Sequence, residues 1–263
     1  MKSNNSLKFA NIIWNHWNKG TLISDINSIS SIAPKSRLEG YEIQRCFYNL
    51  SPMGIFGWKI AASNKAGQNH IGAKGPLVGV LLEEKKMNYM ESIKLFPNQM
   101  LVAEAEFTFK IKYDLDPSKS HYSKDDTISI IDSLYGGIEL PDSRFLNFTQ
   151  VGEANLIADN ACANQFILGP KLSDNWIDKN LSEQKVSISV NEKTYEHGFG
   201  KNVLGGPLIA LQWFLNELLE FKIPLKKGHF VATGTCTKPI PFKKSDVITA
   251  NFSDLGNFQI KLI

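Results

Sequence analysis

The stretch Leu101-Val102-Ala103-Glu104-Ala105-Glu106-Phe107-Thr108-Phe109 alternates with period two, the signature of a β-strand. Leu101, Ala103, Ala105, Phe107 and Phe109 fall on one apolar face, and Val102, Glu104, Glu106 and Thr108 on the other. Glu104 and Glu106 therefore point the same way, about 6.6 Å apart by strand rise. At an effective dielectric near 20, two like charges at ~6.6 Å repel by roughly 2.5 kcal/mol. A divalent cation between them reverses that sign. Glu139, in Gly137-Ile138-Glu139-Leu140-Pro141-Asp142, stands between two apolar residues, where a solvated glutamate is not expected. It is the natural third ligand. Three carboxylates without a Cys or His partner make a hard oxygen site, which suits Mg²⁺ or Mn²⁺ and leaves octahedral positions open for substrate and water. Taken alone, Glu-Ala-Glu on a strand is more often just a solvated face, so the surrounding sequence has to decide.

The elements that would position these acids change in texture along the chain. Leu7, Ala10, Trp14 and Trp17 recur at spacings of three and four before Gly20, predicting an amphipathic helix. A second helix is expected over 37–50, closed by Ser51-Pro52. The first 53 residues thus read as a helical cap on a catalytic body of residues 54–263. In the body, β-rich runs are expected at 55–61, 78–82, 101–111, 166–168, 186–190, 194–197, 230–232, 247–252 and 258–263, with turns at irregular intervals. A long helix enters through Gly205-Gly206-Pro207 and stops before Pro224. Shorter helices are expected over 124–134 and 153–163. The fold class is α+β: a twisted, mostly antiparallel sheet body with helices packed around it.

Composition narrows the function classes. In 263 residues, 29 Lys and Arg stand against 26 Asp and Glu, and the basic residues are scattered, so no nucleic-acid footprint is present. Lys85-Lys86, Lys226-Lys227 and Lys243-Lys244 are short solvated pairs. No apolar run reaches the length of a signal peptide's hydrophobic region or a membrane span. Cys46, Cys162 and Cys236 are far apart and lack CxxC spacing, which favours reduced thiols in a cytoplasmic protein over a disulfide framework or zinc site.

An ordered series of short segments carries more information than any one of them. The series is Tyr41-Glu42-Ile43-Gln44, Gly57-Trp58-Lys59, Pro76-Leu77-Val78-Gly79, Glu104-Ala105-Glu106, Glu139-Leu140-Pro141-Asp142-Ser143-Arg144-Phe145, Ala158-Asp159-Asn160-Ala161-Cys162, Leu204-Gly205-Gly206-Pro207-Leu208, Thr233-Gly234 and Lys238-Pro239-Ile240-Pro241-Phe242. From about Leu38 to the C-terminus it resembles the 2-keto-4-pentenoate hydratase and fumarylacetoacetate hydrolase-like superfamily, nearer the hydratase branch. The resemblance implies a mixed β-roll, a homo-oligomer, metal ligation by Glu104, Glu106 and Glu139, and a catalytic role for Lys59. It places Arg144, Asp159, Cys162, Thr233, Gly234 and Lys238 near the substrate, with Asp142 and Arg144 as a pair that orients the Glu139 loop. Two departures stand out: Leu77 where these hydratases often carry an acid, and Cys162 where they often carry serine.

The implied substrate is a 2-oxo or 2-hydroxy-dienoate acid, of the kind met in aromatic catabolism. A divalent cation would neutralise charge as an enolate forms, and Lys59 would shuttle protons while water adds to the distal carbon. Burial beside Trp58 and Ile60 is expected to depress the Lys59 pKa. A 2-oxo-enedioate decarboxylase would use the same enolate but release CO₂, and would need a basic group at the far end, for which Lys238 is the candidate. A carbon-carbon hydrolase would want a base such as His70. A non-catalytic 2-oxo-acid-binding relative is the alternative from another class, and Leu77 is the argument for it.

Overall fold

The computed structural model describes residues 2–90 and 92–263. Its helices are α1 (Lys2–Lys19), α2 (Arg37–Gln44), α3 (Phe47–Leu50), α4 (Lys65–Ile71), α5 (Lys124–Ser129), α6 (Glu153–Ala158) and α7 (Pro207–Glu220). The strands that build the larger sheet are β1 (Ile55–Ala61), β2 (Leu77–Leu82), β3 (Lys86–Asn88), β5 (Val102–Ile111), β6 (Ile131–Leu140), β7 (Gln165–Lys171) and β10 (Phe230–Thr235), with β11 (Ile240–Pro241) paired to one end of β5. A second sheet holds β4 (Ser92–Ile93), β8 (Lys185–Val190), β9 (Thr194–Phe199), β12 (Val247–Asn251) and β13 (Asn257–Leu262).

The larger sheet runs β2-β1-β10-β5-β6-β7-β3, antiparallel except where β1 meets β10 and β3 meets β7. This is the α+β architecture expected from the sequence. β5 occupies its centre, and the apolar half of its alternation, Ala103, Ala105, Phe107, Phe109 and Ile111, is fully buried against the second sheet and α7. α7 starts with Pro207, whose missing N–H is no loss at a helix start, and buries Ala210, Leu211, Phe214, Leu215 and Leu218.

Two expected helices end early. α5 stops at Ser129, and residues 131–134 already belong to β6, while the helix expected over 153–163 stops at Ala158 and passes into a tight turn over Asn160–Cys162. The helix expected over 37–50 is broken between Gln44 and Phe47. In α1 the buried face is Phe9, Ala10, Ile13 and Trp17, with Leu7 exposed. That face packs on Ile43 and Phe47 and on Phe145 and Ala158 of the body. Among the described residues no helix is long and apolar enough to cross a membrane.

Candidate active site

Register explains how the acids converge. In the β5–β6 ladder Glu104 lies directly opposite Glu139, and Glu106 opposite Gly137. Like charges directly opposite one another on a sheet face are destabilising, so this pairing has no purpose in a bare sheet. Gly137 is required where it is: a Cβ there would meet the Phe166 ring at 2.5 Å and Thr108 Oγ1 at 2.7 Å. β10 supplies the next wall. Its ladder with β5 is irregular between Ala232 and Thr235, Gly234 takes a φ of +105°, and the Gly234 N–H turns in to donate to Glu106 Oε2 at 2.9 Å.

One oxygen from each of Glu104, Glu106 and Glu139 lies within 4.8 Å of the other two. Glu106 and Glu139 are fully buried, and Glu106 Oε1 and both Glu139 oxygens have no hydrogen-bond partner. Unpartnered buried carboxylate oxygens are expensive. A cation with oxygen bonds of about 2.0–2.6 Å fits among them and supplies what the protein does not. Without one, burial and the neighbouring Glu139 push the Glu104 carboxyl up to about 7, against the pull of Lys59. Burial, Glu139 and Glu104 push Glu106 well above the usual carboxylate range.

Lys59 reaches this cluster from the middle of β1, where it is 3% exposed. Its Nζ stands 3.1 Å from Glu139 Oε1, an ion pair by distance whose angle does not make a hydrogen bond. Opposite it on β2 is Gly79, where a Cβ would meet the Lys59 chain at 3.1–3.2 Å and the Asn160 carbonyl at 2.7 Å. The expected depression of its pKa is not found. Burial does work to lower it, but Glu139, Glu104, Cys162 and Glu106 together more than offset that and leave it raised.

A cavity of about 630 Å³ opens onto Lys59 and Glu104. Cys162 and Lys238 also line it, as does His70, which is exposed and edge-on to Phe148 at 5.9 Å. Burial first, and the neighbouring Asp159 carboxylate second, push the Cys162 thiol up to about 12. Arg144, Asp159, Thr233 and Gly234, expected at the substrate, do not line the cavity. The Arg144 guanidinium is buried and spends its donors on Asp159 Oδ1 (2.5 Å), the carbonyls of Asp142 and Ala163 (2.7 and 2.8 Å) and the Asp159 carbonyl, while lying over the Trp17 ring. Its partner is thus Asp159 and not the Asp142 side chain, which accepts from the backbone of Gln99 and Met100. Thr233 Oγ1 donates to the Phe107 carbonyl, and Gly234 acts through Glu106.

Sequence reasoning missed the turn after α6. Asn160, Ala161 and Cys162 are three consecutive non-glycine residues in the left-handed region, at φ +56°, +50° and +60°. Each costs roughly 1–2 kcal/mol there. The Asn160 side chain holds the turn by accepting from the Val80 N–H at 2.7 Å and donating to the Val80 carbonyl at 2.8 Å. An Asn, which tolerates this backbone better than most residues, was the available signal.

Among curated proteins, 24% of residues are identical to the 2-hydroxyhexa-2,4-dienoate hydratase of Comamonas testosteroni over 79% of this chain and 78% of that one. Identity is 26% with the 2-keto-4-pentenoate hydratase of Paraburkholderia phymatum, over 78% of this chain and 77% of that one. In sequence the chain is similar to 2-keto-4-pentenoate hydratases. A hydratase homologue from Escherichia coli, the 2-oxo-hept-4-ene-1,7-dioate hydratase, matches over 90% of this chain and 91% of its own at 25% identity. No family model matches the chain. Among solved structures, 4-oxalocrotonate decarboxylase from Pseudomonas putida G7, complexed with magnesium and adipate, superposes with a TM-score of 0.87 at 25% identity, covering 99% of this chain and 98% of that one. The 5-carboxymethyl-2-hydroxymuconate delta-isomerase of Mycobacterium smegmatis shares the fold at a TM-score of 0.58 over 80% of each chain, at 13% identity. The mixed β-roll with N-terminal helices is therefore the fold of this chain.

Proposed function

We propose that this protein is a metal-dependent hydro-lyase that adds water to a 2-hydroxy-2,4-dienoate, giving a 4-hydroxy-2-oxo acid. The observation that carries the reading is the convergence of the Glu104, Glu106 and Glu139 carboxylates beside Lys59, with Glu106 Oε1 and both Glu139 oxygens buried and without a hydrogen-bond donor, and with Glu104 and Lys59 opening onto an apolar cavity. These three acids would hold a magnesium or manganese ion. When bound, that ion supplies charge stabilisation for an enolate.

The residues of the chain supply the remaining work. Lys59 is held in the cavity wall by Gly79 and Glu139, and its ammonium donates and recovers the proton as the dienol ketonises and the distal carbon takes up water. The apolar walls around Lys59 and Glu104 lower the local dielectric, which strengthens the charge interactions there. Arg144 and Asp159 act beneath the site: they fix the 142–163 segment that carries Cys162 into the cavity. Residues 1–53 are read as a helical cap on the 54–263 body, and the protein as a cytoplasmic homo-oligomer of aromatic catabolism that binds neither nucleic acid nor membranes.

A decarboxylase reading is favoured by one observation, the presence of Lys238 in the cavity lining, where it could meet a second substrate carboxylate. Assaying 2-hydroxypenta-2,4-dienoate against 2-oxo-hex-3-enedioate separates the two, with wild type and Lys238→Ala. Loss of dienol absorbance with the monoacid, unaffected by Lys238→Ala, is the expected result. CO₂ release from the diacid without hydration of the monoacid would replace this reading with the decarboxylase.

A further inference from the structure

We infer that the substrate of this protein carries a bulky uncharged tail beyond the dienoate; the inference rests on the reading of Glu104, Glu106, Glu139 and Lys59 as the end that receives the 2-oxo acid. The first ground is size. A five-carbon dienoate has eight non-hydrogen atoms and, even at a water's ~30 Å³ per heavy atom, fills only ~240 Å³. The cavity offers about 630 Å³. More than half of it would hold nothing but water against apolar walls.

The second ground is the chemistry of those walls. Ile71, Leu77, Met100, Val102, Phe148 and Leu156 line the space, drawn from α4, β2, the chain before β5, β5 itself and the segment around α6. Leu77 decides the most. It pairs with Ala61 two residues along the sheet from the Gly79–Lys59 pair and so shares their face, flanking the proposed catalytic lysine. An acid there would offer a second charged group to the substrate; leucine offers only surface.

Both threonine hydroxyls in the lining are already engaged. Thr235 Oγ1 donates to the Thr237 carbonyl, Thr237 Oγ1 donates to the Lys238 carbonyl, and Asn64 Oδ1 accepts from the Gly67 N–H. Neither threonine hydroxyl is free to donate to a distal carboxylate. Lys238 and His70 are exposed at the mouth, where they can attract an anion but cannot desolvate one. A tail of alkyl or aryl character matches this wall, and a carboxylate tail does not.

Stable saturated 2-oxo acids test this without turnover. Calorimetric titrations of the Mn²⁺-loaded protein should give 2-oxooctanoate about a hundredfold tighter binding than 2-oxobutanoate, since four added methylenes at ~0.8 kcal/mol each amount to about 3 kcal/mol. The diacid 2-oxoadipate should bind no better than 2-oxobutanoate. Phe148→Ala, which removes part of the wall, should cut the advantage of 2-oxooctanoate several-fold while oxalate binds as to wild type, which also shows that the variant is folded. Equal affinity for the two monoacids would overturn the tail inference alone. Tighter binding of 2-oxoadipate, lost in Lys238→Ala, would overturn it in favour of a diacid. If neither oxalate nor any 2-oxo acid binds, the site reading falls and the inference with it.

Discussion

Replacing Glu104 with glutamine should make the metal-free protein more stable at alkaline pH, although it removes a proposed ligand. The Glu104 carboxyl is held at about 7 against an ordinary 4.5. Ionising it in the folded protein therefore costs 2.5 × 1.36, or about 3 kcal/mol, relative to the unfolded chain. A carboxyl whose folded pKa is raised contributes no penalty below 4.5. The penalty grows as pH climbs toward 7 and is complete above it. Neutral glutamine of nearly the same shape escapes it. With an unfolding entropy near 2.1 cal/mol/K per residue, a 263-residue chain converts about 3 kcal/mol into about 5 °C. Thermal melts of chelator-treated wild type and Glu104→Gln should coincide near pH 4.5 and separate by about 5 °C at pH 8.5, the variant melting higher. Saturating Mn²⁺ should then raise the wild-type melt at pH 8.5 and leave the variant nearly unmoved. A variant that melts lower than wild type without metal at pH 8.5, or a gap independent of pH, would refute the reasoning that the acids are mutually repelling in the absence of a cation.

Two further outcomes follow from the same geometry. Lys59→Met should keep Mn²⁺ affinity within a few-fold in calorimetry and lower kcat at least a hundredfold on a confirmed dienoate; near wild-type kcat would make the lysine structural. Asp159→Ala leaves the Arg144 guanidinium buried and unpaired and should destabilise by about 3–5 kcal/mol in denaturant unfolding, with KM at low temperature unchanged; a tenfold rise in KM in the folded variant would restore these residues to the substrate.

Much of the site was legible because its chemistry coincides with a local pattern. The alternation from Ala103 to Phe109 showed which side of β5 Glu104 and Glu106 share, and burial of Ala103, Ala105, Phe107 and Phe109 followed, while Leu101 lies before the strand and is exposed. Glu139 was found as a residue but not as part of a strand. The N-terminal half of its segment was masked by a good helix start, where Ser123 and Asp126 cap α5 reciprocally, and by apolar residues at 130, 131 and 134 that continue a helical spacing. Gly136 and Gly137 then weaken any strand signal. They are present because the rings of Phe252, Phe258 and Phe166 occupy the space a Cβ would need, a fact held by residues far along the chain. Arg144 and Asp159 are likewise joined across fifteen residues by tertiary packing, so sequence order suggested the nearer Asp142 instead.

The bond between Asn160 and Val80 has a consequence beyond the cavity it shapes. β2 is the last strand on its side of the larger sheet, and an outermost strand offers its backbone donors and acceptors to any passing extended chain. The Asn160 amide imitates a neighbouring strand's peptide group and occupies both groups of Val80, midway along β2. Gln44, which donates to the Val78 carbonyl at 2.7 Å, and Tyr41, whose hydroxyl accepts from the Val78 N–H at 3.4 Å, do the same two residues away, so these side chains together blunt the rim nearest Lys59 against adhesive, fibril-like growth. Self-association by edge-to-edge pairing is steered away from that rim, and the mouth of the cavity stays clear of intruding polypeptide.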